Sequence, residues 1–188
     1  MPFDFFKKKK KERDDRPAYD VTNLQVTDIR VGFTFDYDLK TWVVKDEYEY
    51  DWGNFNFSYE YRIVSDDDEA FLSVDNDDGV TLTLSRKIRA GRLGREIFER
   101  IEDKGAPPRE ITYEGTKFYR ENERPGFFRN TAKQSREESD EFISWEYYDD
   151  TEAHILVIEQ WDEDEFEASI GILIEESEIS NLLPGENS

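Results

Sequence analysis

Apolar and polar residues alternate with a period of two through most of this chain, the signature of strands with one covered face. Phe35-Asp36-Tyr37 and Lys40-Thr41-Trp42 flank a tight turn, which predicts a hairpin. Lys45 to Trp52 alternates strictly. Asp46, Tyr48, Tyr50 and Trp52 fall on one side, and Lys45, Glu47, Glu49 and Asp51 on the other, as expected of a half-buried strand. Gly53-Asn54 turns the chain, and Phe55, Phe57, Tyr59, Tyr61 and Ile63 share a face of the next strand. Two more strands are predicted over 71–75 and 80–85, joined at Asp77-Asp78-Gly79, with Val80, Leu82 and Leu84 inward. The period then changes. Leu93, Ile97, Phe98 and Ile101 follow helical spacing, and Gly105 and Pro107-Pro108 supply a stop, so one helix is expected over 92–104.

After the helix the strand pattern returns. A second hairpin is predicted around Glu114-Gly115. An aromatic-rich segment follows over 142–148, then an apolar strand over 155–161, then a long strand or bent pair around Gly171. Residues 121–140 are polar and charged, which predicts a long mobile loop ordered only around Phe127-Phe128. A short closing element is expected over 177–183, with Leu182 and Leu183 packing back.

The two halves match. Phe35 to Val44 corresponds to Ile111 to Arg120 at an offset of 76, and Ala70 to Asp75 corresponds to His154 to Glu159 at an offset of 84. The difference places an insertion within 121–140. The expected fold is therefore mainly β, with two similar antiparallel β units forming a sandwich or partly closed barrel and one connecting helix. The expected organisation is a disordered tail over 1–19, a single β domain over 20–184 with pseudo-repeats at 20–90 and 109–184, and a disordered end over 185–188.

Composition adds that the core must be aromatic. The 188 residues are 36% hydrophobic but 15% aromatic, and large rings bury enough area to support a fold with few aliphatics. The formal charge is −21. Residues 1–16 carry seven basic and four acidic side chains, and the remaining 172 carry 18 basic and 42 acidic, so the body is at −24. Such a body repels phosphate, and nucleic acid is not expected as a partner. No cysteine and one histidine, His154, remove thiol chemistry, disulfides and multi-histidine metal sites. No glycine-rich phosphate loop appears, and no cofactor is expected. Asp75-Asn76-Asp77-Asp78-Gly79 resembles the start of a calcium loop but lacks its spacing and closing Glu, so a hairpin turn is the better reading. No segment has the roughly 20 apolar residues of a membrane span, and no signal segment is recognised, which makes the cytoplasm the expected location.

Two features point to binding. Phe3, Phe5 and Phe6 precede Lys7, Lys8, Lys9, Lys10 and Lys11, a combination suited to an anionic membrane surface or to folding back on the acidic body. Trp42, Tyr48, Tyr50, Trp52, Trp145 and Trp161 sit among carboxylates. Such rings either bind an organic cation such as a polyamine through cation–π attraction or form the core. A carboxylate-pair hydrolase would need two close acids with opposed pKa shifts.

Arg30-Val31-Gly32 through Phe35-Asp36-Tyr37, Lys40-Thr41-Trp42, Tyr48-Glu49-Tyr50-Asp51-Trp52, Leu84-Ser85-Arg86-Lys87-Ile88, Ile111-Thr112-Tyr113-Glu114-Gly115 and Ile158-Glu159-Gln160-Trp161 to Ser169 resemble the bacterial domain-of-unknown-function family 4178. The resemblance spans about 20–184. It implies no activity and no catalytic residues. It implies a bacterial context of polyamine-synthesis and membrane-stress genes. The expected function is a non-catalytic binding or adaptor module with protein partners, cytoplasmic and peripheral at the inner membrane. The alternative is a sensor that binds a polyamine or other organic cation in an aromatic and acidic cleft.

Overall fold

A computed structural model describes residues 16–185. The chain forms β1 (Thr34–Tyr37), β2 (Lys40–Asp51), β3 (Phe57–Val64), β4 (Glu69–Asp75) and β5 (Thr81–Ile88), then α1 (Arg95–Lys104). There follow β6 (Glu110–Tyr113), β7 (Thr116–Asn130), β8 (Asp140–Tyr148), β9 (His154–Asp162), β10 (Glu165–Ile174) and β11 (Ser180–Leu183). All pairings are antiparallel. β1–β5 and β6–β10 are each a meander of successive neighbours. Two pairings join the meanders, β5 with β10 and β2 with β7, and these close β2–β5 and β7–β10 into a ring of eight strands.

The matching hairpins share their geometry. Asp38 and Leu39 have φ of 47° and 61°, and Glu114 and Gly115 have 48° and 84°. Two consecutive positive φ values make a turn whose twist matches the flanking strands. Phe35, Tyr37 and Trp42 are buried in the first copy, and Ile111, Tyr113 and Phe118 in the second. The helix begins at Arg95, three residues after the expected start. Gly94 (φ 106°) separates it from a 3-10 turn over Ala90–Leu93. Gly105 closes it at φ 74° and donates its N–H to the Ile101 carbonyl at 2.7 Å.

Each meander has its own apolar cluster on the outer face of the ring. One gathers Trp42, Phe35, Tyr61, Ile63 and Leu72. The other gathers Trp145, Tyr147, Leu156 and Ile158 beneath Ile97 and Ile101 of α1. Full burial of one such side chain is worth about 1.5–3 kcal/mol. With the apolar positions turned outward, the alternate positions line the inside of the ring.

Four expectations are corrected. The β2–β3 register shifts between Val44 and Asp46, leaving Lys45 as an extra residue, and this reverses the parity of everything after it. Trp42 and Val44 face the outer cluster. Glu47 and Glu49, opposite Tyr61 and Tyr59, continue that face and are buried, while Tyr48 and Tyr50 face the lumen. Residues 121–140 are not a loop: β7 runs to Asn130 and a structured turn follows. The turn delivers Arg136, and β7 delivers Arg129, to the buried Glu49 at 2.9 and 2.8 Å. Arg16 and Tyr19, expected in the tail, pack on the body, with Arg16 donating to Glu47 at 2.7 Å and Tyr19 set edge-on to Phe33. Leu182 packs against the first cluster, but Leu183 is exposed because successive residues of an edge strand point oppositely.

β10 is continuous through Gly171, where a Cβ would lie 2.8 Å from the Leu84 carbonyl oxygen and 2.9 Å from Ser85 Cβ. Glycine lets β5 and β10 approach at one of the two joints of the ring. Gly171→Ala should lower stability by about 1–3 kcal/mol in urea unfolding. A change below about 0.5 kcal/mol would show that the joint yields freely.

Candidate functional site

The inside of the ring is polar and floored by small residues, among them Ser58, Ser73, Thr83, Ser85, Ser144 and Ser169. The enclosed part holds about 130 Å³. It opens into a mouth of about 690 Å³ lined by Tyr48, Tyr50, Phe71, Phe128 and Trp161 together with Asp140, Asp162, Glu165 and Glu167.

Where lumen meets mouth, two carboxylates contact one lysine and a third, Glu60, acts on its charge. Lys87 of β5 donates to Glu167 of β10 at 2.7 Å and lies 3.5 Å from Glu159 of β9. The Tyr50 hydroxyl is 3.4 Å from both Glu60 of β3 and Glu159, so its single proton serves two acceptors. Ser73 donates to the other Glu60 oxygen at 3.2 Å. Burial pushes Glu159 up; Lys87 opposes, Glu60 and Glu167 add to the rise, and the carboxyl ends at about 7. Burial also raises Glu60, against Lys87 and the hydrogen bonds of Ser73 and Tyr50. Burial works against the Lys87 ammonium, but Glu159, Glu60 and Glu167 outweigh it and raise its pKa. The two close acids shift in the same direction, so the geometry does not divide them into a proton donor and an ionised partner.

Around this centre the rings form a continuous wall. Tyr48 stacks on Phe128 at 5.3 Å, Phe128 meets Trp161 edge-on at 4.9 Å, and Trp161 stacks on Phe142 at 4.9 Å. Tyr50 stacks on Trp52 at 5.6 Å. The Arg124 guanidinium sits 4.2 Å over the Trp52 ring and donates to Glu146 at 2.6 Å. The molecule thus already holds one of its own cations between an aromatic face and a buried carboxylate.

Of the six aromatics singled out from the sequence, the structure brings Tyr48, Tyr50, Trp52 and Trp161 together. Trp42 is 2% exposed in the first outer cluster, its indole N–H donating to the Tyr37 carbonyl. Trp145 is fully buried in the second outer cluster. Both are core residues because the bulge at Lys45 and the parity of β8 turn them away from the lumen. Phe3, Phe5, Phe6 and Lys7 to Lys11 lie outside the described residues. Sequence reasoning missed Glu60, Lys87, Phe128, Phe142, Glu159 and Glu167. Their acids are among 46 in the chain, and only the β5–β10 and β2–β7 joints assemble them. Asp75 to Gly79 is a hairpin turn, with Asp75 accepting from the Asp77 N–H and Gly79 at φ 110°. Among the described residues no cluster of three or more His, Asp or Glu side chains is arranged to hold a metal ion. Also among them, no helix is long and apolar enough to cross a membrane.

Comparison with known proteins places the chain. The model of a family described as Domain of unknown function (DUF4178) matches residues 30–176, so the chain belongs to that family. An uncharacterized protein of Aquifex aeolicus (strain VF5) is 27% identical over 157 residues, covering 83% of each chain. No solved structure matches.

Proposed function

We propose that this chain is a non-catalytic binding module whose ligand is a small organic cation, taken up as an ammonium group at the mouth of the strand ring. One observation carries the reading: five aromatic side chains wall a mouth at whose inner end Lys87 meets Glu167 and Glu159, with Glu60 close enough to act on the same ammonium. Three carboxylates facing one ammonium leave room for a second positive charge. Rings at the mouth supply cation–π attraction of about 0.5–2 kcal/mol per contact. A polyamine suits the same chemistry, since its methylenes can lie along Tyr48, Phe128 and Trp161 while its charges meet the acids.

The test is calorimetric titration with spermidine at fixed ionic strength, with magnesium as control. Saturable one-to-one binding, well above that of magnesium, is expected. Trp161→Ala should weaken it roughly 2- to 30-fold with little loss of stability, because this ring is partly exposed. Spermidine heats indistinguishable from those of magnesium would mean that bulk charge is the whole attraction, and the reading would be abandoned.

A further inference from the structure

The donors at the centre of the site do not match its acceptors. Glu159 is 7% exposed, yet its two contacts, Tyr50 at 3.4 Å and Lys87 at 3.5 Å, are both long. A buried ionised carboxylate ordinarily takes several short hydrogen bonds. In this arrangement the neighbours do not supply them. The short bond of Lys87 goes to Glu167, and the Tyr50 proton is shared with Glu60. From β8 the residue facing Glu159 is the uncharged Ser144, and Arg124 of β7 is engaged by Glu146. Farther out the rim is acidic, with Asp140, Asp162 and Glu165.

We propose that the site exchanges a proton for its ligand's charge: Glu159 carries a proton while the site is empty and releases it to solvent when an ammonium group enters beside Glu159 and Glu60. The inference rests on the amine-binding reading and adds regulation to it. The ligand's N–H groups then supply the short donors that Glu159 lacks, and the net charge of the centre changes by nothing beyond the ligand's surplus. Binding becomes sensitive to pH near neutrality. Burial, with Glu60 and Glu167 and against Lys87, brings the Glu159 carboxyl to about 7. Below that value the ligand must first displace the proton, so apparent affinity falls up to about tenfold per pH unit, and above it the dependence levels off.

The experiment is calorimetry of the whole chain with spermidine at pH 6, 7 and 7.5, below the range in which its amines lose protons, in pairs of buffers with different ionisation enthalpies. About half a proton released per ligand is expected at pH 7, nearer one at pH 6 and about a quarter at pH 7.5. Residual binding by Glu159→Gln should release none near neutrality. Carboxyl NMR of the empty, glutamate-labelled protein gives a second readout: one resonance, absent from Glu159→Gln, should titrate near neutrality. Saturable binding with buffer-independent heats, or a Glu159 resonance that titrates near 4, overturns proton exchange and leaves the amine site standing. No saturable binding at any pH removes both.

Discussion

Glu49→Gln should cost on the order of 3–5 kcal/mol of folding stability. The Glu49 side chain is 4% exposed and receives Arg129 Nε at 2.8 Å and both Arg136 Nε and a terminal nitrogen of Arg136 at 3.0 and 2.9 Å. Glutamine keeps the volume but leaves the Arg129 guanidinium, 8% exposed, without its counter-charge. The loss should be local first. β7 carries Arg129 and pairs with β2 through Tyr48 to Asp51, so hydrogen exchange should show the β2–β7 joint opening before the β5–β10 joint. The pH dependence has a defined sign. Burial pushes Glu49 up, but the hydrogen bonds from Arg136 and Arg129 win and hold it at about 2. A depressed carboxyl gives stability that is complete above its unfolded value of about 4.5 and is lost as pH falls toward 2. Urea unfolding from pH 7 to 2.5 should show that limb in the parent protein and a shallower one in Glu49→Gln. A cost below about 1 kcal/mol at pH 7 would mean that the arginines find water or other acceptors, and that the joint does not depend on this pair.

How far the sequence reveals this molecule depends on whether a feature is local. The hairpins, the helix with its Gly105 stop and the burial of Leu82 and Leu84, with Val80 packed against them, follow from neighbours a few residues apart, although the face they bury is the outer one of the ring. The reversal at Lys45 is not legible. An extra lysine inside an alternating run looks like one more polar position, and the parity rule carries Trp42 into the same face as Tyr50. Residues 121–140 fail for a related reason. Their charges look like a solvated loop until Glu49, more than 70 positions earlier, is seen to need Arg129 and Arg136. The lumen is less visible still. Glu60, Lys87, Glu159 and Glu167 come from four strands of two meanders and meet only after the ring closes. What the sequence does carry is the aromatic parity of Tyr48, Tyr50 and Trp52, and these three rings line the site.

The lumen should reverse the sign of the pH dependence that Glu49 sets. A carboxyl whose folded pKa is raised binds its proton more tightly in the native state, so stability falls as pH rises from the unfolded value near 4.5 to the folded value near 7, and is flat beyond. For Glu159 that window spans roughly two and a half pH units, a loss on the order of 3 kcal/mol. Glu159→Gln cannot ionise and keeps the volume, so it should be more stable than the parent at pH 8 by an amount of that order and nearly equal to it at pH 4.5. Glu60 is raised by the same burial, so a smaller slope should remain in the single variant and vanish when Glu60→Gln is added. Lys87 then faces Glu167 alone, and their 2.7 Å contact keeps the ammonium paired in both variants. Urea midpoints at half-unit steps between pH 4.5 and 8 decide the matter. If Glu159→Gln retains the full parental slope, the surplus negative charge lies elsewhere in the molecule, and the lumen pays nothing for its three acids. If the slope flattens as expected, the empty site is held below its most stable form above neutrality, and an arriving cation recovers that deficit on binding.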